Sequence, residues 1–298
     1  MPSPLFIGID AGGTKTAALA RIDGAPTRFS RPGAQLMRDG TETTADALAK
    51  LIEDAQEAHE GAALGRVVVG LAGAGRAEQR DALTQALRSR IGEVPVDVTH
   101  DAEIALEAAF GDAGGTIVLV GTGSLVYARS ESGEAYRAGG WGATLGDDGS
   151  GTALGRATLR AALATYDGGP PTALAEGVAN TLGLADGDAI RAAVYLDDLA
   201  LASLTPVLFS AVEADDWVAS SILTRETNAL GQQVGWVATR GGEALPHRLA
   251  YAGGLANESV YRASLTAALE RHVPGWTVQA SDREAVEGAL AMAERLSA

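Results

Sequence analysis

Two aspartates stand at the ends of apolar segments of the kind that form buried strands. Asp10 ends PLFIGID at residues 4–10, and Asp101 ends VPVDVTHD at residues 94–101. Beside glycine-rich backbone, such a carboxylate suits a Mg²⁺ ion that bridges phosphates, the role we expect of Asp10. It also suits a base that accepts the proton of a hydroxyl attacking a phosphate, the role we expect of Asp101. The alternatives are an Asx turn at Asp10 and a helix N-cap at Asp101.

Glycine-rich turns follow four of the apolar segments. They lie at residues 10–14, 70–75, 121–124 and 252–254. In α/β proteins ligands bind beyond the carboxyl ends of strands, and glycine there lets the backbone approach a ligand closely. Thr14 and Thr122 would add hydroxyl donors, and Lys15 would add a positive charge. Two such turns would hold a polyphosphate, although any one of them alone could be a simple tight turn.

The first of these turns differs from the helix-based phosphate motifs. Residues 16–23, TAALARID, have apolar residues at alternating positions, which predicts a strand paired as a hairpin with the first one. The link AGGTK is too short for a helix. A Walker A loop needs Gly-Lys-Ser/Thr, but here Thr14 precedes Lys15, and this link has no GxGxxG pattern. The stretch therefore predicts a strand, a glycine turn and a second strand.

The segment GGWGATLGDDGSGTALG, residues 139–155, is the densest in candidate binding groups. Trp141 lies among glycines, where a flat ring beside exposed backbone amides could hold a sugar. Asp147 and Asp148 precede a predicted helix. One of them could accept hydrogen bonds from sugar hydroxyls, and the other could favour the helix N-terminus. The alternative for the whole segment is a structural loop.

The order of the predicted elements repeats once along the chain. The first half predicts strands near 4–10, 16–23, 27–30, 66–75 and 94–101, with helices near 41–60, 77–91 and 102–110. The second half predicts three strands within 114–140, helices over most of 151–240, strands at 248–253 and 276–280, and helices at 258–272 and 282–297, with Asp282 as a cap. Each half is typical of an α/β domain with a mixed sheet and a hairpin edge, so we expect two such domains facing across a cleft.

We place the domain boundaries where this pattern restarts. The first domain is predicted at residues 1–110, with the final helix at 282–298 packing back on it. The second is predicted at residues 111–281 and carries a helical insertion.

Composition narrows the classes of function. The formal net charge of −15 disfavours nucleic acid as a partner, because an acidic surface repels phosphate backbones. The absence of cysteine excludes disulfides, cysteine nucleophiles and Fe–S clusters on this chain. Neither a signal peptide nor a segment long enough to span a bilayer is evident, so we expect a cytoplasmic protein without membrane contact.

Six motifs in a fixed order give the chain a family resemblance. They are IDAGGTKT, GLAGAG, THDAEIA, LVGTGS, GGWGATLGDDGSG and YAGGLA, and they fall between residues 5 and 257. The set resembles the N-acetylglucosamine kinase branch of the sugar kinase/actin-like superfamily, within the BadF/BadG-type ATPase family. The resemblance implies two ribonuclease-H-like domains that close around ATP and a sugar. It implies an ATP-dependent kinase acting on the 6-hydroxyl of an amino sugar, N-acetylglucosamine or glucosamine, and we also expect a homodimer.

The resemblance also implies a role for each matching residue. Asp101 would be the catalytic base on the sugar 6-hydroxyl, and Asp10 would position Mg²⁺. The phosphates of ATP would be held by Gly12, Gly13, Thr14, Lys15, Gly121, Thr122, Gly123 and Ser124, with Gly253 and Gly254 beside the adenosine. The sugar would be bound by Gln35, Asp101, Gly140, Trp141, Gly142 and Asp147.

One position departs from the family pattern and leaves the sugar open. The kinases of the family have an asparagine in the loop after the first hairpin, where Gln35 is the nearest match in this chain. The longer side chain shifts the amide, so N-acetylglucosamine, glucosamine and N-acetylmuramate all remain candidates.

Rival functions within the same fold are a non-catalytic sugar- or nucleotide-binding regulator and an ATPase without a sugar acceptor. Activator ATPases of this family hold an Fe–S cluster through cysteines, and the related repressor/kinase group has a zinc-binding cysteine motif. This chain has no cysteine. The repressors also carry an N-terminal helix–turn–helix, for which we expect no room before the first strand.

Overall fold

A computed structural model describes residues 3–34 and 36–297. The chain divides into two compact units, one made of Met1–Ala113 with Ser281–Ala298 and the other of Gly114–Ala280. Within the described residues, no helix combines the length and the apolar character needed to cross a membrane.

The described residues form ten strands and ten α-helices. In chain order, the strands are β1 (Leu5–Ala11), β2 (Lys15–Arg21), β3 (Thr27–Pro32), β4 (Leu64–Leu71), β5 (Val96–His100), β6 (Gly115–Val120), β7 (Ser124–Arg129), β8 (Ala135–Gly139), β9 (Arg248–Ala252) and β10 (Thr277–Ala280). The helices are α1 (Leu36–Ala58), α2 (Ala77–Ile91), α3 (Asp101–Phe110), α4 (Gly151–Tyr166), α5 (Ala173–Leu182), α6 (Gly187–Tyr195), α7 (Thr205–Glu213), α8 (Trp217–Gly241), α9 (Ser259–His272) and α10 (Ala285–Arg295).

The sheet of the first unit brings three strand ends to one edge. Its order is β3-β2-β1-β4-β5, with β1 and β2 antiparallel and β1, β4 and β5 parallel. Asp10 is paired in register with Gly70, and Leu71 is paired with His100. Because parallel strands end at the same edge, the residues that follow β1, β4 and β5 share one end of this sheet.

The last helix, α10, completes the core of the first unit. Gly8 of β1 lies so close to the α10 backbone that a Cβ there would overlap the amide of Leu290. A Cβ on Gly288 would likewise overlap the carbonyl of Ile104 in α3. Glycine at these two positions allows a helix and a strand, and then two helices, to approach backbone to backbone.

The second unit repeats the topology of the first. Its sheet order is β10-β9-β6-β7-β8, with the hairpins β6–β7 and β7–β8 antiparallel and with β6, β9 and β10 parallel. Helices α4, α5, α7, α8 and α9 contribute buried side chains to its apolar core. The duplicated order that the sequence predicted is therefore present in the structure.

Some predicted boundaries are wrong in detail. Helix α1 begins at Leu36, earlier than the predicted residue 41, and Gly40 interrupts it with φ 78°. Strand β4 ends at Leu71 and is followed by the glycine-rich turn that the sequence predicted. Residue 282 is not the cap of α10. Glu284 occupies that position, and its backbone N–H donates to the Glu287 carboxylate at 2.7 Å.

Candidate active site

The turn between β1 and β2 is a tight hairpin with accessible backbone. Gly12 N–H donates to the carbonyl of Lys15 at 3.1 Å, which closes the turn. Gly12 and Gly13 are half-buried, and Thr14 and Lys15 are exposed. The hairpin therefore presents backbone amides, one hydroxyl and one ammonium group, a set suited to phosphate oxygens.

The loop after β3 supports this hairpin through backbone hydrogen bonds and close packing. Gly33 N–H donates to the carbonyl of Thr14 at 3.1 Å, and Ala34 N–H donates to the Thr16 hydroxyl at 3.2 Å. A Cβ on Gly33 would overlap the carbonyl of Gly13. The turn is thus fixed by packing as well as by its own hydrogen bond. Gln35, the predicted sugar contact in this loop, lies outside the described residues.

Asp10 is a half-buried carboxylate at the end of β1. Burial raises the pKa of Asp10 to about 6, and the negative charges of Asp101 and Glu284 act in the same direction. The charge of Asp10 is therefore poorly compensated within this unit. A cation beside it would stabilise the ionised form.

Asp101 is the first residue of α3 and follows β5 directly. One carboxylate oxygen accepts from the backbone N–H of Ala102 at 2.9 Å and lies 2.6 Å from Nδ1 of His100. The side chain is about one quarter exposed. It is thus oriented by its neighbours and still accessible, as a base acting on a bound hydroxyl needs to be.

The turn after β4 has a packing explanation for one of its glycines. A Cβ on Gly70 would overlap the side chain of Ile104 in α3. Gly73 has φ 79°, which few other residues adopt. Arg80 of α2 donates to the carbonyl of Ala74 at 2.8 Å and holds the end of the turn. Close packing at Gly70 and the positive φ of Gly73 therefore explain these two glycines without a bound ligand.

The turn between β6 and β7 is the counterpart of the first hairpin in the second unit. Gly121 N–H donates to the carbonyl of Gly123 at 2.9 Å, and Gly151 N–H at the start of α4 donates to the carbonyl of Gly121 at 2.8 Å. Thr122 is exposed. Ser124 is buried, and its hydroxyl donates to the carbonyl of Asp148 at 2.7 Å. That donor is already used within the protein and is not available to a phosphate.

Gly253 and Gly254 follow β9 and lie at the same sheet edge as this turn. Both are exposed. Gly253 has φ 112°, and a Cβ there would overlap the carbonyl of Val120 at the end of β6. The predicted phosphate and adenosine segments of the second unit are therefore neighbours on parallel strands.

The loop at residues 139–149 presents Trp141 to solvent. Gly139, Gly140 and Gly142 all have φ between 66° and 86°, which gives the loop a path that other residues would resist. Trp141 is 69% exposed. The guanidinium of Arg137 lies 5.2 Å from the centre of its ring and donates to the carbonyl of Gly140 at 2.6 Å. Arg137 thus supports the ring by a cation–π contact.

Asp147 is buried and has φ 64°, unusual for a residue with a side chain. Burial raises the pKa of Asp147, while hydrogen bonds from the backbone N–H groups of Ser124 and Gly142 act in the opposite direction. Its carboxylate therefore joins the loop to the β6–β7 turn. Its neighbour Asp148 accepts from Nε2 of Gln233 at 2.7 Å.

The predicted site residues fall into two groups, one in each unit. The first unit brings together Asp10, Asp101 and residues 12–15 at one sheet edge. The second brings together residues 121–124, Gly253 with Gly254, and the loop that carries Trp141 and Asp147.

The donor set in the first unit fits Mg²⁺. Within residues 3–34 and 36–297, no group of three acidic, histidine or cysteine side chains could hold a metal ion. Mg²⁺ is commonly held by one or two carboxylates together with phosphates and water. The poorly compensated charge of Asp10 is consistent with a cation that arrives with the phosphates.

Three side chains that support the second group were not among the predicted site residues. Arg156 donates to the carbonyl of Ala143, and Gln233 and Arg240 of α8 contact the same loop or the strand before it. For the two side chains of α8, the sequence signal that could have indicated them is the recurrence of polar residues at seven-residue intervals along that helix.

Comparisons of sequence give a consistent result. The model of the BadF/BadG/BcrA/BcrD ATPase family matches residues 7–293. An N-acetylmuramic acid/N-acetylglucosamine kinase of Clostridium acetobutylicum is 32% identical over 238 residues, which cover 75% of this chain and 76% of that protein. An N-acetyl-D-glucosamine kinase of Dictyostelium discoideum is 27% identical over 278 residues, which cover 85% of this chain and 86% of that protein.

Comparisons of structure confirm the predicted fold class. A protein of Chromobacterium violaceum, provisionally described as an N-acetylglucosamine kinase, has a TM-score of 0.80 at 24% identity and covers 98% of this chain and 100% of its own. A ROK family glucokinase of Streptomyces griseus, solved with glucose and AMPPNP, has a TM-score of 0.61 at 21% identity and covers 98% of each chain. At these identities the likeness shows the fold, that of actin-like kinases with two mixed sheets.

Proposed function

This chain belongs to the BadF/BadG/BcrA/BcrD ATPase family, and we propose that it is an ATP-dependent sugar kinase that phosphorylates the 6-hydroxyl of an amino sugar. One observation carries the proposal. Asp10, near the end of β1, and Asp101, directly after β5, stand at the same sheet edge as the Gly12–Lys15 hairpin. This edge thus combines amides for phosphate, a carboxylate for a cation and a carboxylate for a proton.

The second part of the proposal is that the sugar that accepts the phosphoryl group is an amino sugar. The curated relatives that support it are named as kinases of N-acetylglucosamine, and one of them also of N-acetylmuramic acid. The exposed ring of Trp141, beside three glycines, is suited to the flat face of a sugar. We therefore propose N-acetylglucosamine or glucosamine as the acceptor, with N-acetylmuramate as the third candidate.

Each glycine hairpin would bind phosphate oxygens of ATP, and Gly253 with Gly254 would lie beside its adenosine. Lys15 adds a positive charge to the first hairpin. Asp10, with its poorly compensated charge, would hold Mg²⁺, which supplies charge neutralisation when bound. In the second hairpin we assign the contacts to backbone amides and to Thr122, because the Ser124 hydroxyl is already engaged.

Asp101 would accept the proton of the 6-hydroxyl as its oxygen attacks the γ-phosphorus. The O–P bond to ADP breaks as the new O–P bond forms, and the proton passes to the Asp101 carboxylate. The backbone N–H of Ala102, which donates to that carboxylate at 2.9 Å, helps to orient it. Water must be kept from the same position, because Asp101 would otherwise assist hydrolysis of ATP.

The test is coupled ADP release with Mg²⁺-ATP against a panel of sugars. The panel contains glucosamine, N-acetylglucosamine, N-acetylmannosamine, N-acetylmuramate, glucose and a blank without sugar. Turnover that depends on one amino sugar supports the proposal and identifies the acceptor. Sugar-independent hydrolysis indicates an ATPase, and bound ATP without turnover indicates a regulator, so either result contradicts it.

The homodimer and the cytoplasmic location stay predictions. Light scattering over a range of concentrations tests the first, and fractionation of cells tests the second.

A further inference from the structure

The loop at residues 139–149 is held by one face of a long helix in the same unit. Glu226, Gln233 and Arg240 recur at seven-residue intervals in α8. Seven residues are close to two helical turns, so the three side chains lie on one face. Glu226 and Gln233 contact this loop, and Arg240 contacts Arg137 in the strand that leads into it.

The outer two contacts are made to the backbone, one in the strand before the loop and one at the end of the loop. Arg240 donates to the carbonyl of Arg137, just before the loop. Glu226 accepts from the N–H of Gly149 at 3.4 Å, at the end of the loop. Arg137 itself supports the ring of Trp141. The helix thus contacts the chain both before and at the end of the segment that presents this ring.

The central contact is made by Gln233, which is only 4% exposed. Its Nε2 donates to Oδ2 of Asp148 at 2.7 Å. Because a carboxylate only accepts hydrogen bonds, this contact fixes which way the amide points. The other end, Oε1, lies against Gly139, where a Cβ would overlap it.

Stability alone does not account for glutamine at this position. Within the described residues, Oε1 of Gln233 is buried and has no hydrogen-bond partner. A buried acceptor without a partner lowers stability, and an apolar side chain of similar shape would avoid that cost. The amide instead contacts two loop residues. Its Nε2 donates to the carboxylate of Asp148, and its Oε1 packs against Gly139.

We propose that Gln233 is a positioning residue that holds the 139–149 loop in the conformation that receives the acceptor sugar. It acts through Asp148 and Gly139 and contacts neither substrate. The role of the loop in sugar binding rests on the proposed kinase function, whereas the ordering of the loop by Gln233 does not. Loss of the amide therefore loosens the loop and weakens sugar binding, while the chemical step at Asp101 is maintained.

The first experiment compares Gln233→Leu with Gln232→Leu. Gln232 is the exposed neighbour on the same helix, so it serves as a matched control. Amide hydrogen exchange of peptides covering residues 139–149 reports loop order without any substrate. We expect exchange there to accelerate at least tenfold in Gln233→Leu and to be unchanged in Gln232→Leu. In the kinase assay, KM for the amino sugar should rise at least fivefold, with kcat within twofold of the parent protein.

A second pair of variants tests the hydrogen bond itself. Gln233→Glu keeps the shape of the side chain but places a carboxylate against the carboxylate of Asp148, which should loosen the loop at neutral pH. Adding Asp148→Asn restores a donor–acceptor pair with reversed polarity. We expect the double variant to recover the slow exchange of residues 139–149 that Gln233→Glu loses.

The outcomes separate this proposal from the kinase proposal. Unchanged loop exchange in Gln233→Leu and Gln233→Glu overturns the positioning role, whatever the kinetics. Acceleration spread evenly over peptides of α4 and α9 also overturns it, because the residue is then a general core element. Loop-specific acceleration in a protein that phosphorylates no sugar supports the positioning role and refutes the kinase proposal alone.

Discussion

The charge of Asp101 acts on Asp10 across one intervening strand, and both residues stand at the carboxyl edge of the same sheet. Burial is the larger cause of the raised pKa of Asp10, and Asp101 adds to it. A carboxylate whose ionisation is disfavoured by burial and by a neighbouring negative charge is costly for folding. That cost is one that a bound cation and its phosphates would relieve.

Replacing Asp10 by asparagine should stabilise the protein at neutral pH while removing its activity. The pKa of Asp10 is about 6 in the folded protein and 3.8 ordinarily, so the folded state binds a proton more tightly than the unfolded chain. The free energy of unfolding therefore falls as pH rises from about 4 to 6. Above that range, Asp10→Asn should gain about 3 kcal/mol.

Urea unfolding at pH 4.5 and pH 8 measures this difference. Asp23→Asn, in an exposed turn after β2, is the control and should show no such gain. An Asp10→Asn protein that is equally stable or less stable at pH 8 would refute the account of Asp10 as a destabilising charge.

Replacing Asp101 by asparagine tests the base. Asparagine keeps the size of the side chain but accepts no proton, so kcat should fall at least a hundredfold, while KM for the amino sugar changes less than fivefold. Steady-state kinetics and calorimetric sugar titration measure the two quantities. Asp112→Asn, exposed just beyond α3, should leave both unchanged. Near-normal turnover with intact sugar binding in Asp101→Asn would exclude the base role.

The sheets and their hairpins could be predicted because their signals are local. Alternating apolar residues, the five-residue link AGGTK and the repetition of the same order identify β1–β2 and β6–β7. The strand-end positions of Asp10 and Asp101 followed from the same pattern. The parallel pairing of β1, β4 and β5 then places them at one edge.

The supports of the site could not be predicted, because they join residues far apart in sequence. Gln233 contacts Asp148 from 85 positions away. The burial of Asp147 and its positive φ depend on amides of Ser124 and Gly142, which only the folded loop brings together. At Ser124 the sequence predicted a contact that the fold does not leave available. Its position indicated a hydroxyl that donates to phosphate, but in the structure that hydroxyl donates to the carbonyl of Asp148.

Replacing Gly288 by alanine should destabilise the first unit. In an open helix the change gains up to about 1 kcal/mol, but here the new Cβ would overlap the carbonyl of Ile104 and push α10 off α3. We expect a net loss of about 2 kcal/mol in the free energy of unfolding. Gly187→Ala, where the added Cβ would make an ordinary contact with Leu163, is the control and should not destabilise. Equal stability of the two variants in thermal unfolding would show that close helix packing at Gly288 is unimportant.

Replacing Trp141 by alanine should weaken sugar binding without affecting folding. The side chain is 69% exposed, so its removal opens little cavity, and the free energy of unfolding should change by less than about 0.5 kcal/mol. If the ring receives the sugar, KM for the amino sugar should rise about tenfold, equivalent to about 1.4 kcal/mol, with KM for ATP unchanged. Trp236→Ala is the matched control, since Trp236 is 54% exposed on α8 in the same unit. Equal KM values for the two variants would move the sugar contact away from Trp141, whereas a rise in Trp141→Ala alone would assign the ring to the acceptor.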